Sequence, residues 1–111
     1  MGFVLLPLQE KNIFQTLVML IQQKQTGNKG MFYVEDDGQM KAEMIYHLTS
    51  TDKMVIEHTE VNDELRGHNV GYELVHTAVE YARKHNIKIT VWCPFAKKVF
   101  DKKPDWWDVL E

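Results

Sequence analysis

The chain has 111 residues, of which 44% are hydrophobic and 26% charged, and its formal net charge is −3. These values are ordinary for one soluble globular domain and leave little room for a second core. The acidic balance argues against nucleic acid or an anionic membrane as the main partner, although it is compatible with a local basic pocket.

Cysteine and histidine usage narrows the class further. A single cysteine, Cys93, rules out an internal disulfide framework, and we expect a cytoplasmic protein. The histidines are scattered at spacings that match no metal motif, so no metal is expected. The apolar start is short and lacks a basic flank, and we therefore predict neither a signal peptide nor a transmembrane span.

The first predicted element is an amphipathic helix from Gln9 to Gln25, where apolar residues recur at helical spacing. Gly27, Asn28 and Gly30 would end it. We assign residues 1–30 to an N-terminal helical extension. It would cover an apolar patch of the core, close one side of a cleft, or contact a partner in a homodimer.

Three predicted strands follow, at Met31–Glu35, Met40–Leu48 and Met54–Val61. Asp36-Asp37-Gly38 is typical of a hairpin turn, and residues 49–52 turn the chain again. The short connections predict an antiparallel meander.

A strand–helix–strand unit completes the predicted fold. Val70–His85 has a helical apolar pattern, and Ile87–Cys93 alternates like a strand. A connection of this length makes the flanking strands parallel. A short helix at Ala96–Phe100 and an irregular or helical tail from Pro104 to Leu110 come last. The fold class is α+β, a mixed sheet over residues 31–111 with helices packed on it.

One turn of this unit suggests a ligand. Leu65-Arg66-Gly67-His68-Asn69-Val70-Gly71 lies between a strand and a helix. Unpaired N–H groups at the start of a helix attract phosphate, and glycine lets a ligand approach the backbone. The turn lacks the Gly-Lys-Ser/Thr of a P-loop and the third glycine of the dinucleotide fingerprint. On spacing alone, a phosphate site and a plain turn both remain open.

An ordered set of short motifs resembles a known family. Residues 56–61 (Ile-Glu-His-Thr-Glu-Val), the turn at 65–71, Ala82-Arg83-Lys84, Cys93-Pro94-Phe95-Ala96 and Pro104-Asp105-Trp106 follow one another. Together they resemble the very small N-acetyltransferase domains of the GNAT superfamily, of the YjdJ-like kind. The resemblance covers roughly residues 31–110.

The resemblance implies acetyl-CoA as co-substrate, an amine acceptor and a GNAT-like sheet. The family's pyrophosphate loop falls on Arg66, Gly67, His68, Asn69, Val70 and Gly71. Asn69 stands where the family usually has glycine. Asn tolerates positive φ and can cap a helix, but its side chain would lower the affinity for CoA. The resemblance also implies that the strands before the loop and after the helix splay apart, with Val61 beside the pantetheine arm.

The resemblance makes Cys93 and His58 the candidate catalytic residues. The Cys93 thiolate would accept the acetyl group, or its thiol would protonate the departing CoA sulfur. His58 would serve as the base, since the strands that carry the two residues are expected to be neighbours. The alternatives are a buried small hydrophobic residue for Cys93 and a backbone-bonded histidine for His58.

Three functions remain open from the sequence. The first is an N-acetyltransferase of unknown acceptor, the second a CoA-binding module with little catalysis, and the third a protein-interaction domain whose loop binds no cofactor. Lysine residues 97, 98, 102 and 103 are either a solvated face or a contact for the 3′-phosphate of CoA. His68 is either a phosphate contact or a solvated side chain.

Overall fold

The computed structural model describes residues 3–5 and 20–111. In that part of the chain six strands form one sheet in sequence order. The strands are β1 (Phe3–Leu5), β2 (Leu20–Thr26), β3 (Lys29–Asp36), β4 (Gln39–Ser50), β5 (Lys53–Val61) and β6 (Lys88–Val91). Neighbouring strands are antiparallel from β1 to β5, while β5 and β6 are parallel. The predicted mixed sheet is therefore confirmed.

The described helices lie after the meander. Helix α1 is Val70–His85, at the predicted residues, and α2 is Pro94–Asp101, slightly longer than predicted. Short 3-10 helices span Asp63–Leu65 and Pro104–Val109. Asn86 ends α1 in the left-handed conformation, and the N–H of Ile87 donates to Ala82 O. The predicted stop at Asn86 is therefore confirmed.

The predicted N-terminal helix is wrong over its C-terminal part. Residues 20–26 form strand β2, which pairs with β3 from Gln22↔Tyr33 to Thr26↔Lys29. The residues that favoured a helix alternate instead, since Ile21 is buried and Gln23 and Gln25 follow on the same face. Residues 20–30 thus belong to the sheet, and residues 9–19 lie outside the described part of the chain.

Tyr46 of β4 explains how two glutamines of β2 fit on the core side of the sheet. Its hydroxyl accepts a hydrogen bond from Gln23 Nε2 and donates one to Gln25 Oε1, both at 2.7 Å. Burial raises the pKa of Tyr46, against the lowering effect of the Gln23 hydrogen bond, so the phenol is neutral at physiological pH. A Cβ at Gly30 would lie 2.4 Å from the Tyr46 ring, which explains the glycine opposite it.

The core lies between one face of the sheet and the helices. Helix α1 packs on β3, β4 and β5, and α2 packs on β5 and β6. Phe32, Met44, Tyr46, Ile56 and Leu74 are essentially inaccessible to solvent. Because side chains alternate along a strand, residues adjacent to these positions face the other side of the sheet.

The pairing of β5 with β6 ends early. The last parallel pair is Ile56↔Val91, yet β5 continues to Val61. The N–H groups of Trp92 and Cys93 both donate to Ile56 O, after which the chain turns into α2. The two strands therefore separate beyond Ile56, as the family resemblance implied.

Candidate functional site

A cleft of about 770 Å³ opens where β5 and β6 separate. The end of β5, the loop after it, the start of α1 and one side of α2 form its walls. The lining residues are Thr59, Glu60, Val61, Leu65, Arg66, Gly67, Asn69, Val70, Gly71, Tyr72, Phe95, Lys98, Val99, Lys102 and Lys103. Most of its exposed wall is apolar.

The structure brings the predicted loop residues other than His68 together around this cleft. Gly67 has φ +87°, a conformation that favours glycine, and no atom would contact a Cβ placed there. Asn69 adopts the left-handed conformation at φ 61°, ψ 23°. The first bond of α1 runs from Glu73 N–H to Asn69 O, so the amides of residues 70–72 precede it and point out of the helix.

Asn69 does not cap the helix. It occupies the N-cap position, but its side chain makes no capping hydrogen bond. The turn therefore uses the tolerance of asparagine for positive φ, and it does not use the ability of its side chain to cap a helix. A left-handed N-cap residue directs its side chain differently from the extended conformation that capping requires.

Gly71 lets the two helices approach each other. A Cβ at Gly71 would lie 2.5 Å from Phe95 Cζ. Phe95 follows Pro94 in the first turn of α2 and is 41% exposed, because its other side faces the cleft. Tyr72 and Phe95 were missed in the sequence analysis, although an aromatic side chain in the first turn of each helix beside the loop is a usable signal.

Cys93 lies behind the cleft wall. It is the residue before α2 and is buried, and its Sγ donates to Thr59 Oγ1 at 3.4 Å. Thr59 lines the cleft, whereas Cys93 does not. A group in the cleft would therefore meet the Thr59 hydroxyl before the thiol.

His58 lies on the opposite face of β5. Thr59 pairs with buried Met44 on the core side, so the neighbouring His58 projects to the other side, opposite Ile45. Its imidazole is half exposed and lies 3.8 Å from the carboxylate of Glu60. The two strands are neighbours, as expected, but His58 lies on the side of β5 away from Thr59, the residue that Cys93 contacts. The β4–β5 pairing has a bulge at this point, because Tyr46 pairs with Ile56 whereas Ile45 pairs with His58. This one-residue shift in register cannot be read from the spacing of the sequence.

His68 and Arg66 occupy the outer part of the loop. The His68 side chain is exposed and does not line the cleft, although its N–H donates to Leu65 O. Arg66 lines the cleft, forms an ion pair with Asp63 at 3.2 Å and donates to Val61 O at 3.4 Å. These contacts tie the loop to the end of β5.

Two negative findings apply to the described residues. No group of three or more histidine, cysteine or acidic side chains there is arranged to hold a metal ion. Among residues 3–5 and 20–111, no helix combines the length and apolar character needed to cross a bilayer.

The sequence comparison identifies the family. The model of the GCN5-related N-acetyltransferases matches residues 31–109. The chain belongs to this family. The acetyltransferase is also similar to a GCN5-like putative N-acetyltransferase from Staphylococcus aureus, with 38% identity, a TM-score of 0.64, and coverage of 81% of this chain and 87% of that one.

Other solved structures share the fold with this acetyltransferase. A ribosomal-protein-alanine N-acetyltransferase from Brucella melitensis has 16% identity and a TM-score of 0.58, with coverage of 68% of this chain and 61% of that one. An aminoglycoside N-acetyltransferase, AAC(6′)-Iy, in complex with CoA has 12% identity and a TM-score of 0.52, with coverage of 69% and 67%. The search of curated proteins gave no match.

Family membership makes the protein an acetyl-CoA-dependent acetyltransferase. The resemblance stated from the short motifs is thereby confirmed at the level of the family.

Proposed function

We propose that the protein transfers the acetyl group of acetyl-CoA, bound in the cleft, to a primary amine. The observation that carries the proposal is the form of the cleft. It joins the amides of the 66–71 loop to the gap that opens beyond the last β5–β6 pair, between the end of β5 and α2. The loop end suits a pyrophosphate, and the gap suits an extended pantetheine arm beside Val61.

The residues present fit this ligand. The open space at Gly67 allows close approach of an anion to the backbone, and the amides at the start of α1 carry the positive end of its dipole. The apolar wall that includes Val61, Phe95 and Val99 suits a methylene-rich chain. When bound, acetyl-CoA supplies an activated thioester.

The chemistry requires a proton for the departing sulfur. The amine nitrogen forms a bond to the acetyl carbon, the carbon–sulfur bond breaks, and the sulfur leaves with the electron pair. We propose that the Thr59 hydroxyl donates this proton to the sulfur. The Cys93 thiol can then return a proton to Thr59 through their hydrogen bond. Because Cys93 donates to Thr59 and His58 lies on the other face of β5, this role is better supported than a covalent acetyl-cysteine.

The acceptor must lose a proton as well. The pKa of a lysine amine, about 10.4, is roughly 3.4 units above pH 7, so removing its proton at that pH costs about 4.6 kcal/mol. An α-amine near pKa 7.8 faces only about 1 kcal/mol. Glu60 lines both this cleft and a second groove that includes Lys41 and Glu43. We assign the base to Glu60, acting directly or through a water that it holds.

An assay of thiol release separates the three functions. The purified protein is mixed with acetyl-CoA and, in turn, an α-amine peptide, a lysine peptide with a blocked terminus and a polyamine. Thiol release with acetylated amine supports transfer. Saturable binding without transfer supports a CoA-binding module, and no binding at millimolar acetyl-CoA supports an interaction domain.

Intact-mass analysis of the same sample tests the covalent route. Under the proposed direct transfer, the protein mass stays unchanged when amine is omitted. A mass gain of one acetyl group that is absent in Cys93→Ala would assign the acetyl carrier to Cys93 and overturn the direct route.

A further inference from the structure

We propose that Lys98, Lys102 and Lys103 form a second anion site in the cleft, which binds the 3′-phosphate of CoA and selects CoA over 3′-dephospho-CoA. The inference rests on the proposed binding of acetyl-CoA in this cleft. All three lysines line it. Lys98 lies in α2, Lys102 directly follows α2, and Lys103 precedes the last 3-10 helix.

These three lysines form no ion pair with a carboxylate in the described part of the chain. Four other lysines are paired, namely Lys29 with Glu57, Lys41 with Glu64, Lys53 with Glu111 and Lys88 with Asp108 O. Within residues 20–111 no carboxylate forms an ion pair with Lys98, Lys102 or Lys103. A cluster of unpaired cations suits a dianionic phosphate.

The cleft is basic although the protein is acidic. The charged side chains that line it are four cations and the single carboxylate of Glu60, whereas the whole chain has a formal net charge of −3. The cation of Arg66 already has Asp63 as its partner. The uncompensated charge is therefore concentrated on the three lysines.

Aromatic rings hold Lys103 at the mouth of the cleft. Its Nζ lies 5.3 Å from the ring centre of Trp106 and 5.8 Å from that of Tyr72. Trp106 is itself buried and stacks on His76 at 5.0 Å. A cation held over aromatic rings keeps its charge and loses little freedom when an anion binds.

Position along the cleft distinguishes the 3′-phosphate from the pyrophosphate. Pro94, the first residue of α2, is next to the gap between β5 and β6, where the acetyl end belongs. At 1.5 Å per residue, Lys102 is about 12 Å farther along the helix axis. The loop amides suit the pyrophosphate, and the lysines then meet the nucleotide end of the ligand.

Calorimetric titration with CoA and with 3′-dephospho-CoA tests the site. The wild type is expected to bind CoA at least about tenfold more tightly, the scale of one or two charge-assisted hydrogen bonds. The Lys98→Gln/Lys102→Gln/Lys103→Gln variant should bind both ligands equally. Lys97→Gln is the matched control, because this exposed lysine is in the same helix but does not line the cleft.

The outcomes separate the two proposals. If the wild type binds both ligands equally, or if Lys97→Gln removes as much discrimination as the triple variant, the lysine site is overturned while the CoA cleft stands. If neither ligand binds at millimolar concentration, the proposed function fails with it. Urea unfolding of each variant establishes that it is folded. The comparison of CoA with 3′-dephospho-CoA on the wild type tests the site without any substitution.

Discussion

The Sγ of Cys93 lies 3.4 Å from the Oγ1 of Thr59, and only Thr59 of these two residues reaches the cleft. The thiol in the family-like Cys93-Pro94-Phe95-Ala96 segment is therefore one side chain removed from any ligand. Under the proposed transfer, Thr59 is the group that contacts the substrate, and Cys93 acts through Thr59.

Thr59→Val should lower kcat with little change in the Kd for acetyl-CoA, because valine keeps the shape and removes the hydroxyl. We expect a loss of about 10- to 100-fold, at or below the lower end for general acid catalysis, since a thiolate leaves readily. Cys93→Ala should lower kcat less. Thr49→Val, at an exposed position of β4, is the matched control. An unchanged kcat in Thr59→Val would contradict the assignment.

Asn69→Gly should tighten the binding of acetyl-CoA by roughly threefold to tenfold, about 1 kcal/mol, the scale of one hydrogen bond. The Asn69 side chain makes no capping bond and stands beside the amides that start α1, so its removal frees the approach to them. Asn86→Gly makes the same exchange at a left-handed residue at the other end of α1. Calorimetry on both variants tests this, and equal or weaker binding by Asn69→Gly would contradict it.

Gly71→Ala should weaken acetyl-CoA binding by about tenfold while the free energy of unfolding changes by about 1 kcal/mol or less. The new methyl group would displace the flexible end of Phe95, which then narrows the cleft. The same change in a Phe95→Ala background should cost no further affinity. An additive loss in the double variant would show that Gly71 acts independently of Phe95.

The link between α1 and the C-terminal segment should depend on pH. Two hydrogen bonds from Arg83 lower the pKa of Asp108 below its ordinary value. A carboxyl group with a lower pKa in the folded state stabilises the protein above its unfolded pKa and ceases to do so as the pH falls through the folded value.

Asp108→Asn should therefore be less stable than the wild type at pH 7, and the difference in unfolding free energy should close as the pH falls from about 5 toward 2. Urea unfolding across this range measures it. Asp101→Asn serves as control, since Asp101 is exposed and has no ion pair within the described residues. A difference that is constant with pH would assign the effect to something other than the charge of Asp108.

Much of the fold was predictable because the local patterns agree with the tertiary structure. Val70–His85 has one apolar stripe, and the residues on it are those buried against the sheet. β4 alternates between buried and more exposed positions, and β3 to β5 are joined by tight turns at residues 37–38 and 51–52. In these elements the spacing of apolar residues has only one interpretation.

The remainder depended on contacts that spacing does not encode. The glutamines of β2 favour a helix in isolation, but Tyr46, more than twenty residues away, supplies their hydrogen-bond partner inside the sheet. The bulge in β4 and β5 sets which side of the sheet His58 faces. The glycine-bearing loop was recognisable from the sequence, whereas the separation of His58 from Cys93 required the register.

Titration of the ¹⁵N-labelled protein with acetyl-CoA, followed by amide chemical shifts, tests the central claim that this cleft binds the co-substrate. The account predicts saturable shifts for the amides of the loop and of the three cleft lysines, with Gly27 in the β2–β3 hairpin unmoved. These amides belong to Gly67, Val70, Gly71, Lys98, Lys102 and Lys103. Saturable shifts confined to the other face of the sheet, or none at millimolar ligand, would contradict it.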